Sequence, residues 1–317
     1  MPTRGVQPGP DRIGRSRGRR STVRDDAQPG WRYPAKLPPM SRVLALLGAG
    51  VVPAETPVLR ADDLGVLRGD GVFETLHVRD GAPWLLDEHL ARMRRSAEHM
   101  ALPLPAADEL AGLARQACAA WPAGVAGALR LVCTRGPEDG GPPTVFATVS
   151  EVTEASRRAR AEGIAVVTAT LGVSAGVRPG SPWLLGGAKT LSYAVNMSSQ
   201  RWAAERNAQD MLWVSVDGYA LEAPTSTLVW LADGALCTVP PADTGVLAGT
   251  TAAWLLDHAA EVGLRAERRM VRPAELHLVD GVWLASSVRG LVEVRTLDGV
   301  DLITLPETAR LQKLLGH

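Results

Sequence analysis

"GDGVFETLHVRDGAPWLL", residues 69–86, holds two strand-like runs that meet at Asp80-Gly81. An Asp-Gly pair tolerates the left-handed backbone of a two-residue hairpin, so the runs are predicted to pair antiparallel. The same punctuation returns at Asp217-Gly218, Asp233-Gly234 and Asp298-Gly299, each time among apolar runs. Hairpins interspersed with helices, rather than regular strand–helix alternation, give an α+β fold in two parts with mostly antiparallel strands and flanking helices.

Outward from the hairpin, a helix is predicted over 87–101. Leu86, Leu90, Met93, Ala97 and Met100 recur at helical spacing. His89, Arg92 and Ser96 share a different face of it, at i, i+3 and i+7. A second helix is predicted over 107–121, with Leu110, Leu113, Ala114, Ala117 and Trp121 inward. "RVLALLGAG", "ALRLVCTRG" and "TVFATVS" read as strands. The polar run "EVTEASRRARAE" (151–162) marks the passage to a second domain, and "IAVVTATLGV" reads as its first buried strand. A loop over 174–188 leads to Lys189 and a helix ending near Arg206. "GTTAAWLLDHAAEVGL" (249–264) is a further helix, and "DGVWLASS" and "VEVRTLDGVDLITL" supply further strands. The expected division is a disordered extension over 1–40, a small α/β domain over 41–155 and a larger domain over 156–317. No internal repeat is visible, and neither GxGxxG nor GxxxxGK[ST] occurs.

Composition narrows the function. The chain has 317 residues, 46% of them hydrophobic and 21% charged, as in a globular protein with sizeable cores. Formal net charge is zero, but residues 1–40 hold nine Arg/Lys against three Asp/Glu, so the remainder is mildly acidic. That balance argues against a nucleic-acid partner, which needs a basic face. No apolar run reaches the roughly 18 residues of a membrane span, and residues 1–39 lack a signal-peptide core. Met40 reads as an alternative start. Cys118, Cys133 and Cys237 have neither metal-ligand spacing nor an even number, which favours a reducing, cytoplasmic setting.

One residue stands apart. "GGAKTLSYAVNM" (186–197) contains Lys189, and the other lysines are Lys36 and Lys313, near the two ends; the remaining 31 of the 34 basic residues are arginine. Arginine keeps its proton in proteins. A desolvated lysine amine gives its proton up and becomes a base or a carbonyl trap. Lys189 is therefore either an ordinary solvated helix residue or one kept for its amine. "GTT" at 249–251 opens a helix, where free N–H groups and the dipole favour an anion and Thr250 and Thr251 add hydroxyls; capping is the plainer account. Arg92 lies off the apolar stripe, where an arginine is usually solvated. Glu222 in "DGYALEAPTSTLVW" is a lone acid, either exposed at an edge or paired with a buried cation. An amine for an aldehyde, donors for a phosphate and an acid for a ring nitrogen together suit pyridoxal 5′-phosphate (PLP).

"RADDLGVLRGDGVFETLHVRDG", "LLDEHLARMRRSA", "LRLVCTRG", "AKTLSYAVNM", "DGYALEAPTSTLVW" and "LAGTT" stand in this order between about residues 42 and 303. The ordered set resembles the class IV PLP enzymes of fold-type IV: branched-chain and D-amino-acid aminotransferases and 4-amino-4-deoxychorismate lyases. The resemblance implies a two-domain fold like that of D-amino-acid aminotransferase, a homodimer, and a small-molecule amino substrate. It implies that Lys189 is the Schiff-base lysine and catalytic base. Glu222 then faces the pyridine nitrogen, Arg92 with Thr250, Thr251 and Ser287 holds the phosphate, and Tyr193 reaches the phenolic oxygen. Three positions depart from the usual family residues: Thr227 where Asn is common, Ala252 where Arg is common, and Arg68 where an aromatic is common, the last near the substrate. The motifs look most like the lyase, which eliminates pyruvate to give 4-aminobenzoate for folate synthesis. The alternative is an aminotransferase acting on branched-chain or D-amino acids; a non-catalytic protein on the same fold would lack a trappable lysine. Arg68, Arg130 and Arg289 are the candidates for binding substrate carboxylates.

Overall fold

The computed structural model describes residues 42–303 and 306–317. The extension expected over 1–40, and Met40 with it, lies outside the described residues. Two sheets, each with its own apolar core, make a two-domain α+β architecture.

The first sheet is antiparallel throughout. Its strands are β1 (Arg42–Leu46), β2 (Gly50–Val52), β3 (Gly71–Arg79), β4 (Ala82–Pro83), β5 (Gly127–Thr134) and β6 (Val145–Glu151), in the order β2-β1-β6-β5-β3-β4. The short helix α1 (Leu64–Leu67) precedes β3. The hairpin predicted at 69–86 joins β3 to β4, with Asp80 and Gly81 at φ 48° and 75°, the left-handed pair of a type I′ turn. Helices α2 (Leu86–His99) and α3 (Ala107–Ala119) cover one face. Leu86, Leu90, Met93 and Ala97 from α2 and Leu110, Leu113, Ala114 and Ala117 from α3 are buried with Leu76, Leu129 and Val149 of the sheet. Each large side chain so buried contributes about 1.5–3 kcal/mol. The polar run at 151–162 folds as the exposed helix α4 (Glu154–Glu162), capped by Thr153, whose hydroxyl accepts from Ser156 N–H.

The second sheet comprises β7 (Ile164–Thr170), β8 (Asp210–Val214), β9 (Thr227–Ala232), β10 (Ala235–Thr238), β11 (Arg265–Arg268), β12 (Gly281–Ser286), β13 (Gly290–Leu297) and β14 (Val300–Asp301). Its order is β11-β10-β9-β12-β13-β7-β8, with β14 on β13. β9, β10, β12, β13 and β14 pair antiparallel among themselves, whereas β7–β8, β7–β13 and β10–β11 are parallel. Asp233-Gly234 and Asp298-Gly299 repeat the paired positive φ of Asp80-Gly81. At the Asp217-Gly218 turn Gly218 alone of the pair has positive φ, and the chain returns beside β8. The helices are α5 (Ala194–Ala204), α6 (Pro241–Thr244), α7 (Thr250–Asp257) and α8 (Glu307–Leu314). No described helix is long and apolar enough to cross a membrane. All three cysteines are buried and unpaired.

Lys189 is not helical. α5 begins at Ala194 because the preceding residues are drawn out along β3. Phe73 N–H donates to the Lys189 carbonyl (3.2 Å), Leu191 N–H donates to the Gly71 carbonyl (2.8 Å), and Val72 bridges Thr190. Gly71 permits that approach: a Cβ there would come within 2.7 Å of the Leu191 side chain and the Cys133 carbonyl. The lysine segment thus ties the second half of the chain to the first sheet.

A basic cluster elsewhere sets the response to acid. Arg79 Nε donates to His77 Nδ1 (2.9 Å), and His77 Nε2 is buried without a partner. Burial, with Arg79 and Arg160 nearby, pushes the His77 imidazole down to about 4. Burial and the same two arginines push that of His317, 5.3 Å away ring to ring, down to about 3. Both folded values lie below the unfolded value of about 6.5, so this stability is complete above about 6.5 and is lost as pH falls toward the folded values. The urea midpoint should fall between about pH 6.5 and pH 4, less steeply in a His77→Gln variant. Equal slopes would show that His77 is not held neutral.

Candidate active site

The polar face of α2 points inward, against the usual fate of such a face. Arg92 and His89 are 4% and 0% exposed. Their burial is compensated by Glu74, which sits on the core-facing side of β3 between Val72 and Leu76 and has no exposed surface. Arg92 Nε and Nη2 donate to the Glu74 carboxylate at 2.7 and 2.6 Å, and His89 Nδ1 meets Glu74 Oε2 at 2.6 Å. Burial pushes the Glu74 carboxyl up, but the Arg92 charge and the hydrogen bonds from Arg92 and His89 outweigh it and bring it down to about 2. The other guanidinium arm, Nη1, donates to the Ala248 carbonyl (3.0 Å), beside the start of α7.

That helix start is built to be approached. Its N-cap is Gly249, so no side chain caps it. A Cβ at Gly249 would collide with the hydroxyl of Thr227. Thr250 Oγ1 and Ser287 Oγ lie 3.1 and 3.0 Å from His89 Nε2, and Thr251 Oγ1 is buried without a hydrogen-bond partner. An unpartnered buried hydroxyl is costly unless something enters to use it.

Lys189 lies at the wall of the same cavity, with its backbone N–H on Ser96 Oγ (2.9 Å), the third member of the α2 polar face. Nζ donates to Tyr193 Oη (3.2 Å) and sits 4.4 Å from the Phe73 ring centroid. Desolvation, then the charge of Arg92, pushes the amine down to about 8, against the opposing pull of Glu74 and Glu222. Burial and the Glu222 charge push the Tyr193 phenol up to about 12, so it stays protonated.

Glu222 is placed by the return at Asp217-Gly218, which lays it opposite Trp213 of β8: Trp213 N–H donates to its carbonyl (2.9 Å). Its carboxylate accepts from Arg178 Nη1 (3.2 Å) and from Leu247 N–H (3.0 Å). Burial raises its carboxyl, while Arg178, the Leu247 N–H and Lys189 oppose the rise. Arg178 Nη2 is buried without a partner.

Lys189, Arg92, Glu222, Tyr193, Thr250, Thr251 and Ser287 therefore line one cavity of about 860 Å³, within the usual range for small-molecule sites. Arg178 also lines it, and Glu74, His89 and Ser96 stand behind its wall, bonded to Arg92, to Thr250 and Ser287, and to Lys189 in turn; none of the four was assigned from sequence. The available signals were an acid at a core-facing strand position, a polar stripe at i, i+3, i+7, and an arginine in a Gly/Pro-rich loop. Of the carboxylate-binding candidates, Arg289 lines the cavity but is already paired: its Nη2 donates to buried Asp210 and to Ser226 Oγ, each at 2.6 Å. Arg68 is exposed and does not line the cavity. Arg130 does line it and makes no ion pair among the described residues; its guanidinium lies 5.4 Å from the Phe73 ring centroid. Ala252 is buried in the core beneath α7 and does not line the cavity.

The sequence between residues 71 and 297 matches the family model described as amino-transferase class IV. The chain belongs to the class IV aminotransferase family. Family members are fold-type IV enzymes that use PLP. A Mycobacterium tuberculosis protein described as a bifunctional aminodeoxychorismate lyase / D-amino acid transaminase is 42% identical over 258 residues, 79% of this chain and 89% of that protein. A hypothetical aminotransferase from the same organism, solved in a PLP-bound form, superposes with a TM-score of 0.84 at 40% identity, covering 87% of this chain and 98% of the other. Its form bound to alpha-ketoglutarate and pyridoxamine phosphate gives 0.82 at 40% identity, covering 86% and 97%.

The cavity fits this family's cofactor on its own features. The partnerless Thr251 hydroxyl, the uncapped start of α7 and Arg92 suit a phosphate. Lys189 suits an aldehyde, and Glu222 suits a protonated ring nitrogen. Reductive trapping of a simple aromatic aldehyde at Lys189 should accelerate as pH rises through about 8. A midpoint near the ordinary lysine value of about 10.4 would show that the amine is not desolvated.

Proposed function

We propose that this chain is a PLP-dependent aminotransferase that moves the amino group of a D-amino acid to a 2-oxo acid. The observation that carries the proposal is the placement of a desolvated, deprotonatable Lys189 in one cavity with Glu222 and the Arg92–Thr250–Thr251–Ser287 cup. Similarity to a structure holding alpha-ketoglutarate, and to a D-amino acid transaminase, supports the reaction class and substrate. When bound, PLP supplies a carbonyl that captures the substrate amine and a conjugated ring that takes up the electron pair released at Cα.

The residues do the rest. Arg92, the start of α7 and the hydroxyls of Thr250, Thr251 and Ser287 hold the phosphate. Glu222, whose carboxylate accepts from Arg178 and the Leu247 N–H, faces the ring nitrogen and favours its protonated form. Lys189 Nζ anchors the cofactor and, once freed as a neutral amine, takes the proton from the substrate α-carbon. Tyr193 Oη, 3.2 Å from Nζ, fixes the direction of that amine. Arg130, the unpaired guanidinium in the cavity wall, receives a substrate carboxylate. The family relationship supports a homodimer with the site near the subunit boundary, and the exposed Trp183 and Val195 supply apolar surface for it.

A lyase is the second reading, favoured by the bifunctional relative. The same amine would take the proton from the carbon bearing nitrogen in aminodeoxychorismate, and the enolpyruvyl group would leave as pyruvate.

Purified holoenzyme given a D-amino acid should form its 2-oxo acid only when a second 2-oxo acid is supplied. Lys189→Arg should lower that rate by at least about a hundredfold, the usual floor for losing a general base. Faster release of pyruvate from aminodeoxychorismate with no 2-oxo acid present would overturn the ranking in favour of the lyase. Arg130→Met should raise KM for a dicarboxylic 2-oxo acid by about tenfold, the worth of one charge-assisted bond, and leave cofactor affinity unchanged. An unchanged KM would remove Arg130 from the substrate contacts.

A further inference from the structure

The hydroxyl groups of the proposed phosphate cup outnumber the hydrogen-bond capacity of the ring behind them. Glu74 is ionised at any ordinary pH and can only accept, so His89 Nδ1, 2.6 Å from Glu74 Oε2, must carry a hydrogen. Nε2 of a neutral ring is then one acceptor with one lone pair. It faces two hydroxyls, Thr250 Oγ1 at 3.1 Å and Ser287 Oγ at 3.0 Å. Whichever hydroxyl donates to Nε2 withholds its hydrogen from anything in the cup. A phosphate dianion offers acceptors only and is best served by both hydrogens.

Protonation of Nε2 resolves the conflict. The ring then donates at both nitrogens, to Glu74 and to a hydroxyl oxygen, and both hydroxyl hydrogens turn toward the anion. We propose that His89 takes up a proton when the cofactor phosphate enters the cup, making it a proton-linked positioning residue for Thr250 and Ser287. The inference rests on the reading of this cavity as a PLP site.

The charges facing the ring set the direction of the change. Glu74 on β3 favours the cation. Arg92 on the same helix, 3.4 Å from Nδ1, and Lys189 ahead of α5 oppose it, and burial sides with them. Thr250 on α7 and Ser287 in the β12–β13 turn are uncharged. By themselves these groups hold the ring neutral; a dianion beside Nε2 adds two negative charges at close range and reverses the balance. Lys189 pushes less once its amine is neutral.

Two measurements test this without using activity. First, apoprotein is titrated with pyridoxamine 5′-phosphate by calorimetry, slightly above neutral pH, in buffers of different ionisation enthalpy. Proton uptake by the wild type should exceed that of His89→Gln by about one proton, the single site in question. Subtracting the variant removes any uptake at the cofactor's own ring nitrogen. Second, nitrogen NMR of histidine-labelled wild-type holoprotein should show both ring nitrogens of His89 protonated, and in the apoprotein Nδ1 alone, so the result does not depend on the variant folding. Failure of the wild type to bind PLP or pyridoxamine 5′-phosphate would overturn the cofactor reading and this inference together. Tight binding with equal proton uptake in both proteins, or with Nε2 unprotonated in the holoprotein, would overturn this inference and leave the cofactor reading intact.

Discussion

A single carboxylate organises this site. Glu74 brings its charge into the core of the first domain, where an unpaired ion would cost several kcal/mol, and binds Arg92 through two donors and His89 through a third. Removing one member of such a buried set typically costs about 3–5 kcal/mol, because the partner is left charged and dry. The positions of both α2 side chains are therefore set by β3. Ser96, one turn on, holds the backbone of Lys189. Three residues on one helical stripe thus connect the first sheet to the proposed phosphate cup and to the lysine.

The lysine segment extends the same logic. Its backbone pairs with β3, so the chain is extended at 189–191 and turns helical only at Ala194. A lysine in an exposed helix would stay hydrated and charged. Held along a strand, with its amine against Phe73 and Tyr193, it loses water and proton affinity together. The nearby Arg92 lowers the amine further, so the residue that would hold the phosphate also makes the base easier to deprotonate.

Charge pairing sorts the other arginines of the cavity. Arg178 is bound to Glu222 and Arg289 to Asp210, each neutralising a buried acid. Arg130 has no such commitment among the described residues. An exposed guanidinium in the wall of a cavity whose other arginines are paired is where an anionic substrate finds its partner. Thr227 also has a local account. Its hydroxyl packs against Gly249, where any Cβ would collide with it.

The amino-acid sequence by itself determined the hairpins and the helix faces. Asp-Gly turns and the 3.6-residue stripes of α2 and α3 are local properties, read within a few residues. It also singled out Lys189 by rarity, and by the ordered motifs the residues that gather around it. Tertiary structure decided what no short window contains. Glu74 meets Arg92 across 18 residues, Arg178 meets Glu222 across 44, and His89 meets Ser287 across 198. The extended backbone at Lys189 was likewise set from a distance, by a strand more than 100 residues earlier in the chain. The pairing of a buried charge, the loss of a lysine's hydration and the protonation state of a histidine all depend on neighbours in space, and only the folded chain chooses those.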